Sequence, residues 1–274
     1  MRRKPTIALG AALLFALTAC QPEQPAGAGK PSLAPVAQTT AVATAGATSP
    51  TVSPSASASA SPSATPSKTP TTTPTHTSSC QQGPRQREVE VALAKLGTWG
   101  PIVVDGKQTN ADCTTIKKFQ KRFSISPASG RAGDTTASVA KRLAATDPAK
   151  CQAGTGLVAC VDLTHQTTYL MKGGKVIWGP TVTRTGMSGF ATPSGWYSIF
   201  DRASRHWSNP YEVWLPYWQQ FYNGDGFHET TTYIHNMSIG SHGCVNLLHV
   251  DAQKYYSTLS YGSKVHLYGR RPGT

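Results

Sequence analysis

The run Ile239-Gly240-Ser241-His242-Gly243-Cys244-Val245-Asn246-Leu247 sets a hydroxyl, an imidazole and a thiol within four positions. An imidazole beside a cysteine can take the thiol proton and hold the thiolate as an ion pair, which makes a nucleophile. Gly243 lets backbone come close to a substrate, so the amides of Gly243 and Cys244 could face a developing oxyanion. Three histidines compete for the base: His228, His235 and His242. In an extended segment His242 shares a face with Cys244, so proximity favours it, and local spacing does not decide. The same four side chains could instead bind zinc. Their spacing is not a familiar zinc pattern and the carboxylate directly beside them is Glu229, so no metal site is expected. His235 reads better as a buried, satisfied core histidine. His76, His165, His206, His249 and His266 have no chemical company.

The elements around this run are mostly strands. GLVACVDL and TTYLM alternate or run apolar with β-branched residues, and Lys172-Gly173-Gly174-Lys175 reads as a hairpin turn. KVIWGPTVTRTG continues the meander, TPSGWYSIF follows, and TTYIHNM precedes the Cys244 run. One helix is expected, capped by Asp251, carrying Ala252, Tyr255, Tyr256 and Leu259, and stopped by Gly262. VHLY closes the chain as a last strand. Residues 155–270 thus read as a mainly β domain with a peripheral helix.

Residues 80–150 read as helical. Val89, Ala92, Leu93 and Leu96 fall on one helix face, Ile116, Phe119, Gln120 and Phe123 repeat the pattern, and a third helix starts near Asp134 or Thr135 with Val139 and Leu143. The Asp105-Gly106 turn, Phe119-Gln120, and Gly133 followed by Thr135 and Thr136 resemble the peptidoglycan-binding-domain-1 family. That resemblance implies attachment to wall polymer; the alternative is a small structural spacer. Ala94 and the missing glycine after Lys107 depart from the family pattern.

Residues 20–79 are almost wholly Ala, Thr, Ser, Pro and Gly and carry no aromatic, so a disordered linker is expected. As a flexible coil it would span roughly 40 Å, and as polyproline II about 180 Å. Residues 1–19 have a basic start, a short apolar run and a small-residue exit, as a secretory signal does. Leu17-Thr18-Ala19-Cys20 resembles a bacterial lipobox, which implies lipidation of Cys20 and a membrane anchor without a membrane span. The expected place is the outer face of the cytoplasmic membrane, with the chain reaching into the wall. The net charge of +13, of which Arg2, Arg3 and Lys4 supply three, suits an anionic neighbourhood. Export, and the lack of a phosphate loop or basic aromatic helix, argue against nucleic acid.

With Cys20 lipidated, five of the six cysteines face an oxidising compartment and one is left over. Cys80 and Cys113 share the helical segment, and Cys151 and Cys160 flank the junction. Of three possible pairings, 80–113 with 151–160 is favoured, leaving Cys244 free.

GFHETTTYIHNMSIGSHGCVN resembles the active-site signature of the L,D-transpeptidase (YkuD-type) family. Thr192-Pro193-Ser194-Gly195 matches that family's Thr-Pro-x-Gly turn, and VDLTHQTTYLMKGGKVIWGPTVTRTG echoes its opening strands. The resemblance implies an L,D-transpeptidase-like β-sandwich in which Cys244 is the nucleophile and His228, not His242, the base. A backbone carbonyl near Ser241 would orient His228, Gly243 and Cys244 would supply oxyanion amides, and Asn246 would hold the loop. His242 is then mainly structural, with substrate contact open to it. In WLPYWQQFY (214–222), Tyr217, Trp218 or Tyr222 would line the donor groove, or the run simply packs the core. Arg184, Thr185 and Gly186 approach the cleft. The implied reaction is 3→3 cross-linking of peptidoglycan tetrapeptide stems with loss of D-Ala, without cofactor, at a cysteine that carbapenems would acylate. The alternatives are hydrolysis by the same Cys–His site (an L,D-carboxypeptidase), a silent wall-binding lipoprotein, and a zinc peptidase.

Overall fold

The computed structural model describes residues 79–230 and 232–274. The signal-like segment, Cys20 and the linker lie outside the described residues. The periodic apolar stretches at the start form α1 (Gln86–Leu96), α2 (Asn110–Arg122) and α3 (Asp134–Ala145). Thr109 and Asp112 close a capping box at the head of α2, each side chain accepting from the other's backbone amide. Val89, Leu93, Ile116, Phe119, Phe123, Val139 and Leu143 bury the helices' inner faces against one another. A disulfide from Cys80 to Cys113 ties the entry of the segment to α2.

Nine strands follow. A five-stranded sheet has the order β3-β2-β1-β9-β4, formed by β1 (Val158–Asp162), β2 (Thr167–Lys172), β3 (Lys175–Val182), β4 (Gly195–Ser198) and β9 (Lys264–Tyr268). A four-stranded sheet has the order β5-β6-β7-β8, formed by β5 (Asp201–Ser208), β6 (Val213–Tyr222), β7 (Asp225–Glu229) and β8 (Val245–Leu247). Ala159, Val161, Leu170, Val265 and Leu267 of the first sheet meet Phe221, Phe227, Val245 and Leu247 of the second in one core. A second disulfide, Cys151–Cys160, joins a 3-10 turn at Pro148–Cys151 to β1.

The helix α4 (His249–Thr258) packs Ala252 and Tyr255 into that core. Its N-cap is Leu248, not Asp251, and it ends at Thr258, short of Gly262. Asp251 is fully buried in the first turn, where it accepts from Trp178 Nε1 at 2.8 Å, Thr181 Oγ1 at 2.6 Å and both Nη atoms of Arg122 at 3.1 and 2.6 Å. A carboxylate with four charge-assisted or neutral donors is worth more buried than as a surface cap. The ion pair joins α2 to the β region, and the helical core itself takes in Val182, Ile234 and Leu248 from that region.

Candidate active site

β7 and β8 run parallel, with Phe227 opposite Val245 and His228 opposite Asn246. Strand alternation sends Phe227 and Val245 into the core between the sheets and His228 to the other face. One step back along the same register, Cys244 stands beside Gly226 on the His228 face. Both Cys244 and His228 open into a pocket of about 340 Å³. Gly226 has no room for a side chain, because a Cβ there would lie 2.7 Å from the Gln219 carbonyl oxygen and 2.8 Å from the Trp218 ring. Its amide instead faces the Cys244 sulfur.

His228 is 5% exposed. Its Nδ1–H donates to the Glu229 carbonyl at 2.9 Å, with Thr230 Oγ1 3.2 Å from the same nitrogen, so Nε2 is left bare to accept a proton. The orienting carbonyl is thus that of Glu229, the next residue, and not one near Ser241, whose own carbonyl accepts from Met187 N at 2.9 Å. Burial pulls His228 down to about 4, partly offset by the Glu229 carbonyl and carboxylate. Burial pushes the Cys244 thiol up to about 12, against the help of the Gly226 amide and with the Asp225 charge adding to the rise. Both shifts favour neutral thiol and neutral imidazole over a thiolate–imidazolium pair. The thiol donates to the Gly224 carbonyl at 3.8 Å, and among the described residues no hydrogen bond joins it to His228.

Gly243 has φ +124°, and a Cβ there would fall 2.0 Å from Asp225 Oδ1. Its amide is taken by Ser241 Oγ at 3.2 Å, and that hydroxyl donates to the Cys244 carbonyl at 2.6 Å. This corrects the oxyanion assignment: Gly243 N–H is committed within the turn, and Ser241 braces the backbone of Cys244. Thr192 completes the support by donating to the Gly243 carbonyl at 2.6 Å while accepting from Gly186 N at 2.8 Å. The Thr-Pro-x-Gly turn thus touches the Cys244 loop. Asp225, at the start of β7 with its carboxylate against Gly243, was not singled out from the sequence; burial raises its carboxyl to about 6.

The pocket wall differs from the expected one. Tyr211, Trp214 and Leu215 of the β5–β6 hairpin line it, together with Thr230, Thr232, Tyr233 and His242. Tyr217 and Trp218 do not: Tyr217 packs on His249 and Tyr256, and Trp218, 2% exposed, donates to Asp201 Oδ2 at 3.1 Å. Tyr222 stacks edge-on against Tyr197, outside the pocket. Asn246 is fully buried and holds the Tyr233 hydroxyl through Nδ2 at 2.7 Å, which makes it a loop holder and removes it from substrate contact. His242 is exposed, between the rings of Phe190 and Tyr211 at 4.4 and 4.5 Å. His235 donates from Nε2 to the Phe123 carbonyl at 2.7 Å, far from the thiol chemistry. Arg184 is buried and donates to the Ile234 carbonyl at 2.7 Å. Arg271, one residue past the expected domain end, donates to the carbonyls of Thr185, Gly186, Met237 and Ile239 at 2.6–3.1 Å. No group of three or more potential metal ligands occurs among the described residues.

Residues 157–267 match the family described as L,D-transpeptidase catalytic domain (YkuD). The crystal structure of an L,D-transpeptidase (Yku) from Stackebrandtia nassauensis is 53% identical, with a TM-score of 0.70, covering 74% of this chain and 100% of that one. The chain belongs to the L,D-transpeptidase family. The domain is therefore that of an enzyme acting on peptidoglycan. An L,D-transpeptidase from Mycobacterium smegmatis is 20% identical over 41% of this chain and 58% of that one, with a TM-score of 0.37. LdtMt1 in complex with imipenem is 17% identical over 41% and 58%, with a TM-score of 0.38. Comparison with curated proteins gives no match.

Proposed function

We propose that Cys244 is the nucleophile of a peptidoglycan L,D-transpeptidase that builds 3→3 cross-links through a thioester. The observation that carries this reading is the Cys244–His228 pair on one face of two parallel strands, opening into one pocket, with His228 Nε2 bare. The thiol attacks the carbonyl at the L-centre of the third residue of a tetrapeptide stem. Its proton passes to His228 Nε2 as the C–S bond forms, since a preformed ion pair is disfavoured. Collapse of the tetrahedral species expels D-Ala, which leaves with the proton from His228. The side-chain amine of a second stem then attacks the thioester and gives its proton to His228, and the released sulfur regains one. Of the two amides first considered for the oxyanion, that of Cys244 remains, since Gly243 N–H is taken by Ser241.

In this reading the chain is exported, lipidated at Cys20 and tethered by residues 20–79, so that the enzyme works within the wall. The helical segment adds attachment to wall polymer. Carbapenems acylate Cys244 because their strained carbonyl presents the same electrophile to the thiol. The deciding experiment incubates a defined tetrapeptide donor and a stem amine with the wild type and with Cys244→Ala, followed by mass analysis. A cross-linked product with loss of one D-Ala, absent in the variant, supports the reading; product from the variant, or trimmed donor alone at saturating amine, would sink the transpeptidase step.

A further inference from the structure

Residues 232–240 lie between β7 and the Cys244 run and border the pocket. Thr230, Thr232 and Tyr233 line the pocket, and the Tyr233 hydroxyl is held by Asn246, two residues beyond the nucleophile. The next two side chains go elsewhere. Ile234 is 1% exposed and lies in the core of the three helices, with Phe119, Phe123 and Leu143. His235 donates from Nε2 to the carbonyl of Phe123, the C-cap of α2. A carbonyl can only accept, so this nitrogen carries the hydrogen; it also satisfies a helix-end acceptor that would otherwise be short of a partner. Arg184 holds the Ile234 carbonyl from the opposite side.

We propose that the helical segment is a positioning element of the active site: by seating Ile234 and bonding His235 it fixes Thr232 and Tyr233 over the Cys244 thiol, and so sets how an acyl donor lies. The role is independent of any attachment to the wall. Its catalytic half rests on the cysteine reading above; the seating itself does not.

The test uses the full chain as wild type, His235→Ala, His235→Gln and Ile234→Ala. Hydrogen exchange of amides 232–240 reads the seating, and the rate at which imipenem adds to Cys244, by intact mass, reads the consequence. Losing one buried hydrogen bond and orphaning a carbonyl should speed loop exchange about tenfold in His235→Ala and slow acylation by about the same factor. His235→Gln, whose amide N–H can reach the Phe123 carbonyl, should restore both to within about twofold. Ile234→Ala should move both readouts in the direction of His235→Ala. The proposal is overturned if loop exchange is unchanged in both alanine variants. Faster exchange with unaltered acylation also overturns it, as does His235→Gln as impaired as His235→Ala. If the wild type takes no acyl group, the cysteine reading fails, while exchange still decides the seating.

Discussion

Cys244 rests with its hydrogen directed at the Gly224 carbonyl, and His228 waits with Nε2 bare and Nδ1 pinned by Glu229. A thiol near 12 beside an imidazole near 4 predicts that iodoacetamide labels the free enzyme slowly, at a rate still climbing above pH 9. A labelling plateau between about pH 5 and 8, the mark of a preformed ion pair, would contradict this. His228→Gln should lower acyl transfer by about 10²–10⁴-fold without changing the fold. Stability offers a second test, because the two buried groups pull in opposite directions. Asp225, raised to about 6, adds stability in acid that is lost as pH rises through that value. His228, lowered to about 4, adds stability above its ordinary value that is lost as pH falls from about 6.5 toward 4. In the wild type these slopes largely cancel. Asp225→Asn should unmask the His228 slope, losing on the order of 3 kcal/mol on acidification across that window, and His228→Gln should show the reverse trend. Denaturant unfolding from pH 4 to 7 distinguishes them by sign.

Between elements, two contacts carry the arrangement. Thr192→Val removes the bond to the Gly243 carbonyl and the acceptor of Gly186 N–H while keeping the side chain's shape; acylation should fall about tenfold and stability by about 1–3 kcal/mol, read by denaturant unfolding. Asp251→Ala strands Arg122, Trp178 Nε1 and Thr181 Oγ1 at the α2–α4 junction and should cost about 3–5 kcal/mol by thermal unfolding. The strands and the three helices were legible because their apolar periods are local properties. The Cys244 run was legible because its residue types crowd together in sequence. The pocket wall was not: in WLPYWQQFY both alternating sets carry aromatic or apolar residues, and Trp214 and Trp218 share a parity, so alternation could not tell that Trp214, and not Trp218, lines the pocket. Asp251 has the composition of a helix cap, and only the arrival of Arg122 from a distant helix makes its burial tolerable. Arg271, Asp225 and Thr192 act through contacts 18 to 86 residues away in the chain, for which no local pattern exists.

At the scale of the molecule, the helical segment and the transpeptidase domain share a core at Val182, Ile234 and Leu248. A chain begun at residue 155 should therefore expose those side chains, leave Asp251 without Arg122, and unfold at lower temperature or aggregate, as light scattering would show. The proposed tether predicts the contrary for its own removal: deleting 21–79 while keeping Cys20 should leave purified acyl transfer intact and abolish new cross-links in intact cells. The described residues hold two disulfides and one free thiol. Such a trio is prone to exchange, since any thiolate can attack a neighbouring S–S bond. Burial pushes the Cys244 sulfur up to about 12, so the attacking thiolate is scarce at neutral pH. The burial that keeps this thiol protonated also keeps it from scrambling the protein's own cross-links.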